Sequence, residues 1–183
     1  MIALISDSHV PNRSPGIPEQ FTGLVEKADL TVHCGDFETK QVYERLDNKA
    51  GNLVAVKGNC DRFELPNSET FEEIGLSFGV YHGTGISPRG DHDTLVKIAE
   101  EDLDVDVLLH GHTHQQEAVE KDGKILLNPG SCTGVGGGSS TRKSPRMMLL
   151  KFENGLNVEL LKLVDKEIVV EKQKNFDIKG LTN

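Results

Sequence analysis

Ile2-Ala3-Leu4-Ile5-Ser6-Asp7-Ser8-His9 decides the fold: a short apolar run turns abruptly into a polar loop that carries a carboxylate and an imidazole. A run of this kind reads as a buried strand, and Pro11 prevents it from continuing inside a sheet. The same pattern recurs at Leu30-Thr31-Val32-His33-Cys34, which ends in Gly35-Asp36, and at Asn52-Leu53-Val54-Ala55-Val56, which ends in Gly58-Asn59-Cys60-Asp61. Between these runs, Glu19 to Ala28 carries Phe21, Leu24, Val25 and Ala28 at helical spacing, and Glu38 to Asn48 turns Val42, Tyr43 and Leu46 inward. The order β-α-β-α-β implies right-handed crossovers and a mainly parallel sheet, whose carboxyl edge is the usual place for a ligand.

Beyond Pro66 the pattern changes. Thr70 to Ile74 and Leu76 to Tyr81, parted near Gly75, read as a hairpin that ends at His82-Gly83. A polar loop, Ile86 to His92, leads to a helix over Asp93 to Glu101 with Leu95, Val96, Ile98 and Ala99 inward. Val105 to Leu109 is a further strand, running into His110-Gly111-His112-Thr113-His114. Asp122-Gly123 and Asn154-Gly155 are hairpin turns, the first between Glu117–Glu120 and Lys124–Leu127, the second between Met147–Glu153 and Leu156–Leu163. Asn128-Pro129-Gly130-Ser131 stops its strand, and the glycine and serine tract Gly134 to Ser140 reads as a mobile loop. That tract is no phosphate-binding P-loop, since it lacks the Gly-Lys-Ser/Thr ending. In the tail from Asp165, Ile168-Val169-Val170 reads as an edge strand before a frayed end. Two packed sheets with helices outside accommodate this order.

With 183 residues and 36% apolar content the chain suits one domain with a real core. A formal net charge of -9 argues against an extended nucleic-acid surface or an anionic membrane as partner. A small phosphorylated ligand stays compatible, because a bound metal inverts the local field. The apolar N-terminus meets Ser6-Asp7 too soon for a secretory segment, and no run approaches a membrane span, so a soluble, cytoplasmic protein is expected. Cys34, Cys60 and Cys132, odd in number and scattered, read as reduced thiols.

Asp7, His9, Asp36, Asn59, His82, His112 and His114 each follow an apolar run. Taken singly, Asp7 and Asp36 read equally as helix caps and Asn59 as a left-handed turn residue. Taken together they form a mixed oxygen and nitrogen set of intermediate hardness, suited to manganese, iron, zinc or nickel. Seven ligands exceed one ion's needs, whereas two ions sharing a carboxylate use them economically; a mononuclear zinc hydrolase is the alternative. His33 and His110 lie inside strands and read as core or supporting residues, and His92 as a loop residue.

Asp7-Ser8-His9, Gly35-Asp36, Gly58-Asn59, His82-Gly83 and Gly111-His112-Thr113-His114, in this order over residues 1 to 163, resemble the metallophosphoesterase (calcineurin-like phosphoesterase) superfamily; the small size, Asn59-Cys60-Asp61 and Asn128-Pro129-Gly130-Ser131 look most like its compact bacterial and archaeal phosphodiesterases. The resemblance implies an α/β fold, a four-layer α/β/β/α sandwich with mixed sheets, in a single domain over 1–183 with a core to 163 and a C-terminal extension from 164. It implies two divalent metal ions, with Mn2+ or Ni2+ favoured and Fe, Zn or Mg compatible. Asp7, His9, Asp36 and His114 would hold one ion and Asp36, Asn59, His82 and His112 the other, with Asp36, Asn59 and His82 in catalytic roles. Hydrolysis would proceed by in-line attack on phosphorus by a hydroxide bridging the ions. Many members carry histidine where this chain has Cys60, and a thiol is a poor substitute for that acid, which favours phosphodiesters with good leaving groups. Arg13 and Arg62, in loops beside the motifs, are candidate phosphate contacts with Cys60. A homo-oligomer is compatible with all this. The eukaryotic retromer small subunit shares the resemblance and acts chiefly by docking partners, so a scaffold is the alternative function.

Overall fold

The computed structural model describes residues 1–138 and 141–178. β1 (Ile2–Ile5), β2 (Leu30–His33) and β3 (Leu53–Ala55) pair in parallel, joined by the helices α1 (Glu19–Val25) and α2 (Lys40–Ala50). A second sheet holds β4 (Ser68–Glu73), β5 (Leu76–Tyr81), β6 (Val107–His110), β7 (Glu117–Lys121) and β8 (Lys124–Asn128), in the order β4-β5-β6-β8-β7. α3 (His92–Lys97) continues into a π-helical segment, Ile98–Asp102, ahead of β6. The chain then returns to the first sheet as β9 (Arg146–Lys151), β10 (Leu156–Val164) and β11 (Glu167–Phe176), giving the order β11-β10-β9-β1-β2-β3. Both sheets mix parallel and antiparallel pairs.

Strand alternation sorts the apolar residues into three layers of core. Ile2 and Leu4 of β1 meet Phe78, Val80, Val107 and Leu109 between the sheets. Ala3 and Ile5 face the opposite way, onto Phe21, Val25, Val42 and Leu46 of α1 and α2. On the outside of the second sheet, Leu108 and Leu126 pack under Leu95, Val96 and Ala99. The result is helix, sheet, sheet, helix: the four-layer sandwich. Among the described residues no helix is long and apolar enough to cross a membrane.

Most element ends shift by one to a few residues, the helix expected over Asp93 to Glu101 becomes α3 and the π-helical segment, and four differences have a clear local reason. α2 begins at Lys40 rather than Glu38, because Glu38 takes φ 82° and turns its buried carboxylate inward. α1 ends at Val25, since the N–H groups of Lys27 and Ala28 bond three residues back rather than four. β11 runs for ten residues where only Ile168-Val169-Val170 looked strand-like; its polar half is ordered by pairing with β10 on either side of a register shift at Leu160/Leu161. The glycine tract is not loose over its first part: Gly134, Val135 and Gly136 are buried, and Val135 bridges Arg142. Ser139 and Ser140, and the tail beyond residue 178, lie outside the described residues.

Candidate metal centre

The turns that end β1, β2, β3, β5 and β6 converge on one edge of the sandwich. Two glycines let them approach so closely. A Cβ on Gly58 would stand 2.2 Å from Asp36 Oδ1, and one on Gly111 would stand 2.2 Å from Ser6 Oγ and 2.9 Å from Asp7 Oδ2. The side chains at these turns project from left-handed backbone: φ is 53° at Asp7, 47° at His9, 63° at Asp36, 66° at His112 and 57° at His114. Each such residue costs on the order of 1–2 kcal/mol outside glycine. Five of them at one locus mark a site where geometry is held against local preference.

Asp7, His9, Asp36 and His114, all buried, place one ligand atom each within 4.8 Å of one another. His114 Nε2 lies 3.2 Å from Asp7 Oδ1 and 3.3 Å from His9 Nε2. Asp36 Oδ2 lies 3.4 Å from His9 Nε2 and also 3.4 Å from His82 Nε2, which in turn is 3.2 Å from Asn59 Oδ1. The His112 ring stands edge-on to His82 with centroids 5.1 Å apart, and its backbone N–H donates to Asp7. Asp36 is therefore shared by two neighbouring groups, and all seven residues singled out from the sequence meet at this edge.

The other ring nitrogen of each central histidine is tied down. His114 Nδ1 lies 2.7 Å from the Val135 carbonyl, His82 Nδ1 2.6 Å from the Cys34 carbonyl and His9 Nδ1 3.2 Å from Glu38 Oε1. Each of those acceptors fixes the proton on Nδ1, so the lone pair of a neutral ring sits on Nε2 and faces the middle of the site. Two such lone pairs, on His9 and His114, point at each other across 3.3 Å, and His82 Nε2 faces two oxygen acceptors. This arrangement is unfavourable unless positive charge lies between the groups, which is what divalent cations would supply. The donor set fits them.

Without cations, protons on the imidazoles supply that positive charge instead. Burial opposes the charged form of His82, yet its hydrogen bond to Asp36 and the charges of Asp7 and Asp36 outweigh it and raise the pKa to about 9. Burial likewise works against ionised Asp7, but the bond from His114 and nearby imidazoles hold its pKa below the usual carboxylate value. Burial, the His82 charge and the Arg89 charge lower His112 to about 4.

A second layer of residues braces these groups, and little of it was visible in the sequence. Asp61 accepts hydrogen bonds from the backbone N–H groups of Asp36 (3.0 Å), Glu38 (2.7 Å) and Gly58 (2.7 Å), lashing the β2 turn to the β3 turn. Ser131 Oγ donates to Asp7 O at 2.8 Å and Thr133 Oγ1 to Ser8 O at 2.9 Å, so the segment after β8 supports the β1 turn. Asn128 Nδ2 bonds Gly111 O at 2.9 Å and Thr113 Oγ1 at 3.0 Å. In the sequence Glu38 looks like the start of a helix and Arg89 like a loop residue, and only an acid two places after Asp36 hints at the first. His33 stacks on Phe37 with centroids 3.6 Å apart, and its Nδ1 accepts from the Gly35 N–H at 3.1 Å. His110 is buried behind the site, its Nδ1 3.2 Å from Asn128 Nδ2.

Cys60 donates its backbone N–H to Asp36 Oδ1 at 2.7 Å, and its Sγ lies 3.3 Å from Asn59 Nδ2. Burial first, and then the Asp36 charge, push its thiol up to about 12. Arg13 donates to Gly136 O at 2.7 Å, tying the loop after His9 to the glycine tract. Arg62 is exposed, and its backbone N–H meets Glu38 O at 3.3 Å. Beside Asn59 a cleft of about 400 Å3 is lined by Lys57, Asp61, Asn67, Tyr81 and Thr84.

The chain as a whole is similar to several known proteins. The family description "calcineurin-like phosphoesterase superfamily domain" matches residues 1–155. A protein named probable metallophosphoesterase from Methanocaldococcus jannaschii is 39% identical over 133 residues, covering 73% of this chain and 68% of that one. Another with that name, from Methanothermobacter thermautotrophicus, is 38% identical over 136 residues, covering 73% and 77%. Among solved structures, wild-type Vps29 of Entamoeba histolytica complexed with Zn2+ superposes with a TM-score of 0.82 at 32% identity, over 97% of this chain and 99% of that one.

Proposed function

Because the chain belongs to the calcineurin-like phosphoesterase superfamily, we propose that it is a two-metal phosphoesterase that cleaves phosphodiesters in the cytoplasm. The observation that carries this reading is Asp36 Oδ2, set 3.4 Å from the Nε2 of both His9 and His82. A carboxylate oxygen flanked by imidazoles from two clusters is where two cations would share a ligand. Asp7, His9, Asp36 and His114 hold one, and Asp36, Asn59, His82 and His112 the other, with Mn2+ or Ni2+ suited to so mixed a set.

Two divalent ions, when bound, make water more acidic and polarise phosphoryl oxygens. The protein's own part is positioning. Glu38 and the carbonyls of Cys34 and Val135 keep the Nε2 atoms aimed inward, and the Cys60 N–H fixes the free oxygen of Asp36. Arg89, close enough for its charge to act on His112, meets the substrate phosphate, with Arg13 and Arg62 adding positive charge at the opening. The cleft beside Asn59 receives one ester arm.

Cys60 supports the diester preference. A thiol is a weak hydrogen-bond donor, so an alkoxide leaving beside it gains little from protonation, and esters with stable leaving groups are favoured. Free Cys34, Cys60 and Cys132 suit a reducing compartment. The test is hydrolysis of bis-p-nitrophenyl phosphate against p-nitrophenyl phosphate by metal-loaded protein. The diester is expected to turn over faster with Mn2+ or Ni2+; a preference for the monoester, or no turnover of either with any divalent metal, overturns the reading.

A second reading, a docking protein with weak or vestigial catalysis, is favoured by the likeness to Vps29 over 97% of this chain. The same assay separates the two, since a docking protein with metal bound turns over both esters only marginally or leaves them intact.

A further inference from the structure

A cleft of about 190 Å3 lies on the helical side of the first sheet, apart from the Asn59 cleft. Its apolar walls come from the loop after His9, which supplies Val10 and Ile17, and from α2, which supplies Val42 and Leu46, with Thr22 of α1 at one side. Val10, Val42 and Leu46 are buried and form the floor, whereas Arg45 and Lys49 are exposed and border the opening. On α2 the pairs Val42/Leu46 and Arg45/Lys49 each sit four residues apart, so an apolar row runs beside a cationic one.

The two cations are not equivalent. Lys49 is ion-paired with Glu26, while the Arg45 guanidinium makes no hydrogen bond or ion pair with any described residue. An unengaged guanidinium at the lip of an aliphatic cleft is complementary to one ligand chemistry, an apolar body that ends in an anion. A planar carboxylate matches the guanidinium fork. As for size, an apolar cavity of roughly 150 Å3 takes benzene, so this cleft suits a body of about six carbons.

We propose that this cleft is a binding site for a small amphiphilic carboxylate, an aliphatic or aryl acid whose tail lies on Val10, Ile17, Val42 and Leu46 and whose head meets Arg45. The site stands directly behind the metal centre in the chain. Val10 follows His9 and bridges Glu38 through the backbone, and α2 begins two residues after Glu38. The two apolar walls thus belong to the segments joined by the His9–Glu38 hydrogen bond. The proposal does not depend on phosphoesterase activity, so its test needs no substrate.

Methyl-detected NMR of the full chain, titrated separately with hexanoate, hexan-1-ol and acetate, tests it. Saturable shifts confined to the methyl groups of Val10, Ile17, Val42 and Leu46 are expected with hexanoate, none with acetate, and binding of hexanol about fivefold weaker, as befits one exposed ion pair. Arg45→Gln should bring hexanoate down to the hexanol level and leave hexanol unchanged. The proposal is overturned if those methyls show no saturable shift, if hexanol binds as tightly as hexanoate, or if Arg45→Gln leaves hexanoate binding intact.

Discussion

Glu38 Oε1 lies 3.2 Å from His9 Nδ1, and both residues occupy left-handed backbone, at φ 82° and 47°. Neither conformation is favourable by itself; the hydrogen bond and the Asp61 bond to the Glu38 N–H hold the pair in place. Glu38→Gln keeps an acceptor for Asn12 but removes the charge that makes His9 a stronger donor to metal. Loss of such an orienting partner costs roughly 10–100-fold in metal affinity. Calorimetric titration of metal-free protein with Mn2+ should show one equivalent weakened by about that factor; unchanged affinity for both equivalents would remove Glu38 from this role.

Arg89 is exposed, so its guanidinium adds little to stability, but it acts on His112 electrostatically. If it meets the substrate phosphate in ground state and transition state alike, Arg89→Ala raises KM about tenfold and leaves kcat nearly unchanged. The rise should shrink at high salt. A fall in kcat at constant KM would place Arg89 elsewhere in the reaction.

Burial pulls the His33 pKa from 6.5 to about 3. Between those values the unfolded chain binds a proton that the folded chain does not, so stability is undiminished above pH 6.5 and falls as the pH drops below it. The slope from this one group is up to about 1.4 kcal/mol per pH unit. His33→Phe retains a ring to stack on Phe37 and removes the titration. Urea midpoints at pH 7.5, 6.5 and 5.5 should therefore decline less steeply in the variant, and identical slopes would refute the assignment.

Phe78 is fully buried between the sheets, stacked on Phe71 at 5.0 Å and edge-on to Phe152 at 6.2 Å. Phe78→Ala empties the middle of the shared core and should cost about 3–5 kcal/mol. A urea-unfolding change below about 1 kcal/mol would mean that the sheets close over the gap.

The strand ends were legible because a buried strand that stops at a ligand leaves a plain mark: Ile2-Ala3-Leu4-Ile5 before Asp7, or Val107-Leu108-Leu109 before His112. β11 was not, since Glu171, Lys172, Gln173 and Lys174 show no apolar alternation and owe their order to β10. For Glu38 and Asp61 the reason is different. Their partners are 29 residues away in His9 and 25 away in Asp36, and an acid read within its own neighbourhood looks like a helix start or a turn. The glycine tract misled for a similar reason, because the bond from His114 to Val135 O spans 21 residues and no local pattern announces it.

The ligands divide by sheet. Asp7, His9, Asp36 and Asn59 follow β1, β2 and β3 of the six-stranded sheet, whereas His82, His112 and His114 follow β5 and β6 of the five-stranded one. Cations held among them would act as a clasp at one end of a hinge whose body is the oily layer around Leu4, Phe78 and Leu109. A slide of one sheet over the other, too small to disturb that layer, would still pull the two halves of the clasp out of register. Residues of the inter-sheet core would therefore set the spacing of the metal centre from a distance, and loading the centre would stiffen the whole sandwich against shear.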